Sequence, residues 1–361
     1  MKPPLSRLPL LLAGLLLAFF ACVNAQAKPR HVKLEQPPKP LGPRPALVAF
    51  ADELAASQGW DAAGLRDQLS QALDLPKVRQ LILPAAVGTA KNWAAYRDRF
   101  IEPKRVDAGV AFWAEHEAAL AKAESQYGVP AEIVVGIVGV ETFYGRITGG
   151  FKVLDALATL AFDFPTEHPR AAERQAFFRG ELAEFLKLCR ENGLDAADVR
   201  GSYAGALGWP QFMPGSWRKH AVDFDGDGRI DLIASPTDAI GSVAHYLAEY
   251  GWQPGEATHY SVKLPTDRHE RARLLAPDIK PHVTAAELLA AGAQPSEAAR
   301  DHVGPMAVIE LQNGPRKPNT VLLGTQNFWV VTRYNWSAYY ALAVIELGQA
   351  VKARRLQAQP R

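Results

Sequence analysis

The chain has 361 residues, 48% hydrophobic and 22% charged, with a formal net charge of +2. This is the composition of a globular protein able to bury one or two sizeable cores, and it excludes a largely disordered chain. A near-neutral balance carries no basic footprint for nucleic acid, so that partner class is set aside.

The first 25 residues stand apart. Lys2 and Arg7 precede an apolar run from Leu8 to Ala21, and Val23-Asn24-Ala25 follows. The pattern is a secretory signal peptide, too short and wrongly flanked for a membrane span. Its end admits two readings: cleavage after Ala25, or cleavage before Cys22 with lipidation of that cysteine. Removal of Lys2 and Arg7 would bring the formal charge from +2 to about 0. Cys189 is the other cysteine, so no intramolecular disulfide is expected, and an exported chain of this kind must rely on its core or on a metal.

Residues 26–45 hold six prolines, which predicts an extended tether. A helical subdomain is expected over 46–127, from the spacing of Leu47, Phe50 and Leu54 and of Trp113, Leu120 and Tyr127. Helices interrupted by Gly-rich and Asp-rich loops come next, over 128–253. Between 254 and 331 short β-prone runs appear (Tyr260–Leu264, Ala307–Leu311, Thr320–Leu323, Asn327–Val331), with one helical patch from Thr284 to Ala293. Residues 332–361 return to the core and to C-terminal helices that complete the first subdomain. The expected class is α+β, mainly α, with a small β-containing subdomain inserted late.

Within 128–253, Pro130 to Gly145 predicts a short helix with Pro at its start and Gly at its end. Ile133, Ile137 and Glu141 fall four residues apart, so Glu141 is expected on an apolar face. Burial disfavours the charged form of a carboxyl, and this is how a general acid is made at neutral pH. An end-of-helix glutamate that merely caps a neighbour would share the spacing.

Asp223-Phe-Asp225-Gly-Asp227-Gly-Arg229-Ile-Asp231 matches an EF-hand loop, with carboxylates at positions 1, 3, 5 and 9, Gly at 6 and an apolar residue at 8. Arg229 at position 7 would supply its carbonyl. Position 12 is Ala234 rather than Glu, so Asp238 or a water would close the shell. A single loop of this kind predicts a structural Ca2+. Gly201-Ser202-Tyr203-Ala-Gly205-Ala-Leu-Gly208-Trp-Pro-Gln211-Phe-Met213 combines small residues with polar and flat apolar side chains, as sugar recognition requires. It lacks the glycine spacing of a serine-hydrolase elbow. Arg333-Tyr334-Asn335-Trp336-Ser337 is a second polar aromatic cluster. His116-Glu117 lacks the spacing of a zinc helix, and Cys189 on an apolar helical pattern reads as a small hydrophobe.

Taken in order, Val140–Arg146, Ser202–Pro214, the Asp-rich loop, Asp238–Tyr246 and Arg333–Ser337 resemble the membrane-bound lytic murein transglycosylase B family, over about residues 46–350. The resemblance implies a lysozyme-like catalytic core over 128–253 that carries the EF-hand loop. It implies peptidoglycan glycan strands as substrate, cut without water between N-acetylmuramic acid and N-acetylglucosamine to leave 1,6-anhydro ends. Glu141 would serve as acid and then base. Ser202, Gln211, Tyr246, Tyr334 and Asn335 match the family's substrate-binding positions. A monomer in the periplasm is implied, held at the outer membrane if Cys22 is lipidated. Two other outcomes fit the residues: a hydrolytic muramidase, for which Asp155 or Asp163 would be the second carboxylate, and a glycan-binding protein that does not cut.

Overall fold

The computed structural model describes residues 37–84 and 91–358. The expected signal peptide, Cys22 and the start of the Pro-rich segment lie outside the described residues. The chain is mainly helical, with short antiparallel sheets, and divides into two compact units. Among the described residues no helix is long and apolar enough to cross a membrane.

The larger unit comprises Phe100–Glu249 with described segments 37–84 and 347–358. Its first helix, Pro45–Gln58, starts on a proline that needs no amide partner there and stops at Gly59, whose φ of 68° lets its N–H reach back to Ala55. Asp61 caps the next helix, Ala62–Gln71, by accepting from the amides of Ala63 and Gly64. The end of the Pro-rich segment is packed, which corrects the expectation of a free tether as far as residue 45. Lys39–Pro40 pairs antiparallel with Leu73–Asp74, and Leu41 is buried. A proline is tolerated in so short an edge strand because few ladder bonds are lost. The core of this unit gathers Phe178, Phe185, Leu157, Leu160 and Ile137, all fully buried. Cys189 is buried among them, and burial pushes its thiol up to about 12, as suits a small hydrophobe.

The smaller unit comprises Lys91–Arg99 and Tyr250–Glu346. Its sheet is antiparallel, in the order Gln294–Pro295, His259–Lys263, Thr320–Gly324, Ala307–Leu311. Leu274, Val283, Leu288, Met306, Val308 and Leu323 pack together as its core. The helical patch forms as Ala285–Ala290, held at its start by a reciprocal Thr284–Glu287 capping box. One expected strand is a helix instead: Asn327–Val331 lies within Gln326–Tyr334. Thr325 caps that helix through the Asn327 amide, and Asn327, Phe328, Val330, Val331 and Thr332 are buried. Capping and tertiary burial override the β preference of the aromatic and branched residues.

Candidate active site

Every residue of the helix Ala131–Thr142 is buried except Glu132 and Glu141. The helix is apolar on all sides and therefore embedded in the core. Ile133 and Ile137 are buried as expected, but Glu141 is half-buried, because it sits in the last turn where the helix leaves the core. Glu132, at the other end, pairs with Lys352 at 2.8 Å.

The backbone just past Glu141 is unusual. Phe143, Tyr144 and Gly145 take φ values of 51°, 56° and 76°. Left-handed conformations cost non-glycine residues about 1–2 kcal/mol each, so their surroundings must hold them. Phe143 meets two guanidinium groups, with Arg105 4.4 Å and Arg146 4.9 Å from its ring centroid. Arg105 also donates to the carbonyl of Gly139 at 2.7 Å, inside the helix that bears Glu141. Burial holds the Arg105 guanidinium below its usual range. Tyr144 is buried between the helices Pro103–Glu115 and Ala131–Thr142. A Cβ at Gly109 or Gly139 would come within 2.3 Å or 2.6 Å of its hydroxyl. Burial raises its phenol above the usual range.

Thr142 ties this turn to the Gly-rich loop. Its Oγ1 donates to the carbonyls of Trp209 (2.9 Å) and Val138 (3.2 Å) and accepts the Gly145 amide (3.0 Å). The Trp209 ring closes over Gly145, where a Cβ would meet it at 2.6 Å. On the other flank, Gly149 approaches Gly201 so closely that a Cβ would lie 2.1 Å from the Gly201 carbonyl. Small residues in both segments allow the backbones to meet.

Within the loop, Ser202 Oγ accepts from the Ala206 amide at 2.9 Å. Gln211, with φ of 50°, donates through Nε2 to the carbonyls of Thr148 (3.0 Å) and Gly208 (2.9 Å). Both side chains are half-buried. Tyr246 is buried against the rings of Phe212 and His220, with centroids 5.4 Å and 5.0 Å away. Glu141, Ser202, Gln211 and Tyr246 thus belong to the larger unit, and hydrogen bonds or ring contacts link the loop to the segments bearing Glu141 and Tyr246. Tyr334 and Asn335 belong to the smaller unit, where Asn335 is buried and Tyr334 stacks on Tyr340.

Asp155 and Asp163 have structural partners. Asp155 is buried and accepts the Leu73 amide at 2.8 Å, while Asp163 pairs with Arg79 and lies 3.7 Å from Arg44. Glu181, which no sequence signal singled out, accepts the Gly215 amide at 2.8 Å at the start of the helix Pro214–His220. Desolvation raises its carboxyl to about 7. Arg105 and Thr142 were equally silent in the sequence, since their roles depend on partners that folding brings near.

In the acidic loop, Asp223, Asp225 and Asp227 each bring a carboxylate oxygen within 4.8 Å of the others. Three hard oxygen donors so close together fit a hard divalent cation. Asp223 accepts amides from Gly226, Asp227 and Gly228, which is the tight turn that the glycines permit. Asp227 accepts from the Arg229 amide, and Asp231 from Ile233 and Ala234. Asp238 is buried on the helix Pro236–Glu249 and accepts from Phe224, Asp225 and Asp231, so it clasps the loop closed.

The sequence matches the Transglycosylase SLT domain over residues 43–349. It is 39% identical over 321 residues to membrane-bound lytic murein transglycosylase B of Escherichia coli, covering 87% of this chain and 84% of that one. The fold is similar to the Escherichia coli lytic transglycosylase SLT35 in complex with calcium, with TM-score 0.77, 38% identity, and coverage of 88% and 97% of the two chains. It is also similar to SltB3 from Pseudomonas aeruginosa in complex with NAG-anhNAM-pentapeptide, with TM-score 0.66, 30% identity, and coverage of 84% and 78%. The glutamate at the mouth of an apolar helix, the glycine-packed loop beside it and these matches over most of the sequence converge: the chain belongs to the transglycosylase SLT domain family.

Proposed function

We propose that the chain is a lytic transglycosylase that cuts the β-1,4 bond between N-acetylmuramic acid and N-acetylglucosamine in peptidoglycan glycan strands. The observation that carries this reading is the placement of Glu141. Its carboxyl is half-buried where an apolar helix leaves the core, at a turn bonded to the Gly-rich loop. Protonated, it delivers a proton to the leaving O4 of N-acetylglucosamine as the C1–O4 bond breaks. Ionised, it then takes the proton of the muramyl C6 hydroxyl as that oxygen bonds to C1. The proton returns to Glu141, no water is consumed, and a 1,6-anhydro ring results.

One carboxyl is enough because the substrate brings its own nucleophile, whereas a hydrolase needs a second. The structural partners of Asp155 and Asp163 favour the one-carboxyl scheme. Ser202, Gln211, Tyr246, Tyr334 and Asn335 are assigned to the sugar cleft on their match to the family's binding positions. The acidic loop is assigned a structural Ca2+ held by Asp223, Asp225 and Asp227, with Arg229 and Asp231 contributing and Asp238 closing the loop. The substrate class goes with a periplasmic monomer, attached to the outer membrane if Cys22 is lipidated.

The test is mass spectrometry of muropeptides released from purified sacculi, with and without Glu141→Gln. Products lighter than hydrolytic muropeptides by one water, and lost in the variant, are expected. Reducing-end products would overturn the scheme in favour of hydrolysis, and absence of any product would leave a binding protein.

A further inference from the structure

The helix Gln326–Tyr334 buries one face through Phe328, Val330 and Val331. Trp329 and Arg333, four residues apart, therefore share another face, and both are half-buried. Trp336, just beyond the helix, meets Trp329 edge to face at 5.0 Å and 80°. The Arg333 guanidinium lies 5.3 Å from each indole centroid and 5.5 Å from that of Tyr250. Three aromatic rings thus surround one cation, all half-buried and all within the smaller unit.

Large apolar rings left partly in water forgo part of the burial that stabilises a fold. The helix is already seated by Phe328, Val330 and Val331, so packing does not require this cluster. Clusters of Trp, Tyr and Arg are the usual anchors of binding sites. The flat C–H face of a pyranose matches an indole, and a guanidinium can donate to the carboxylate or carbonyl oxygens that muramyl residues carry. Tyr334 and Asn335, both assigned to the sugar cleft, lie in the chain between Arg333 and Trp336. A membrane contact suits the same residue types, but rings that insert among lipids must protrude. These are held half-buried by one another and by the guanidinium.

We propose that Trp329, Trp336, Tyr250 and Arg333 form a further saccharide subsite, which binds a pyranose face on the indoles and an acidic or amide oxygen of the same sugar at the guanidinium. The subsite rests on the peptidoglycan reading, and all four of its residues lie within the smaller unit.

The test uses the full chain carrying Glu141→Gln, which binds without cutting, and peptide-free glycan strands of defined length. Adding Trp336→Ala is expected to weaken binding about tenfold, the size of one stacking or cation–π contact. The loss should be larger for long strands than for a single disaccharide, and Trp336→Phe should restore most of it. Arg333→Gln provides an independent probe if Trp336→Ala does not fold. Unchanged affinity in both Trp336→Ala and Arg333→Gln would overturn the subsite while leaving the peptidoglycan reading intact. Loss of binding to phosphatidylglycerol vesicles, with glycan affinity unchanged, would overturn it in favour of a membrane contact. If the Glu141→Gln parent bound no glycan at all, the peptidoglycan reading would fall and the subsite with it.

Discussion

The hydroxyl of Thr142 reaches the carbonyl of Trp209 at 2.9 Å, joining the residue after Glu141 to a loop 67 positions away. The same oxygen accepts the Gly145 amide at 3.0 Å, so one buried hydroxyl holds both the left-handed turn and the Gly-rich loop. Replacing it by a methyl group, as in Thr142→Val, keeps the shape and removes the bonds. A buried carbonyl and amide left unpaired cost about 1–3 kcal/mol each. We expect Thr142→Val to lower kcat at least tenfold and to reduce stability in urea titration, and Thr142→Ser to recover much of both. Wild-type turnover in Thr142→Val would show that the hydroxyl does not position Glu141.

Arg105 makes a second tether, from the helix Pro103–Glu115 to Gly139 and to the Phe143 ring. Arg105→Lys keeps the charge and loses the planar stack. A stability loss of about 1–2 kcal/mol is expected on chemical denaturation, with a fall in activity larger than stability alone explains. Equal stability and rates would remove Arg105 from the positioning shell.

Gly145 combines φ of 76° with the Trp209 ring, 2.6 Å from where a Cβ would stand. Gly145→Ala therefore meets both backbone strain and a clash with an aromatic ring. Thermal melts should show a lower Tm, and turnover on sacculi should fall more than for Gly150→Ala, where a Cβ meets nothing within 4 Å. Similar behaviour of the two variants would count against the packed turn.

Glu181 sets a pH dependence. Its folded carboxyl is raised to about 7 from an ordinary value near 4.5, with desolvation as the main cause. The native state thus holds a proton that the unfolded chain releases, so this group lowers stability as pH rises from about 4.5 to about 7, after which its contribution is constant. Glu181→Gln keeps an acceptor for the Gly215 amide and cannot ionise. Its Tm should exceed that of wild type at pH 8 and converge with it near pH 4, as read by calorimetry across that range. Parallel pH profiles for the two proteins would refute the assignment.

Calcium is expected to stabilise the chain by mass action, by about 2.7 kcal/mol when present at a hundred times its dissociation constant. Asp225→Asn and Asp227→Asn should each reduce the rise in Tm on adding calcium, and a chelator should lower the wild-type Tm without altering the double variant. A calcium response that survives in the double variant would place the ion elsewhere.

Much of the site was legible because its signals are local. The EF-hand spacing and the apolar spacing of the Glu141 helix act through neighbours a few positions apart, although that helix stops at Thr142, with Phe143 rather than Gly145 in the left-handed position that follows. The strand expected at Asn327–Val331 shows the opposite case, since its aromatic and branched residues suit either state and the cap at Thr325 with burial of Phe328 and Val331 decided for helix. Glu141 is less deeply buried than its spacing predicts, for a related reason. Periodicity set its face, but not that the helix would be buried on every side and end close to that residue.

By itself, then, the sequence determined a mainly helical α+β chain, an acidic loop suited to a hard cation, and a glutamate at the end of an apolar helix, all encoded in spacings within a turn or two. Only the tertiary structure decided which groups hold that glutamate's turn and which carboxyls are engaged elsewhere. Arg105 meets Gly139 across 34 positions, Thr142 meets Trp209 across 67, and Asp155 meets Leu73 across 82. A hydrogen bond between residues so far apart leaves no local pattern, because either residue type suits many partners until packing selects one.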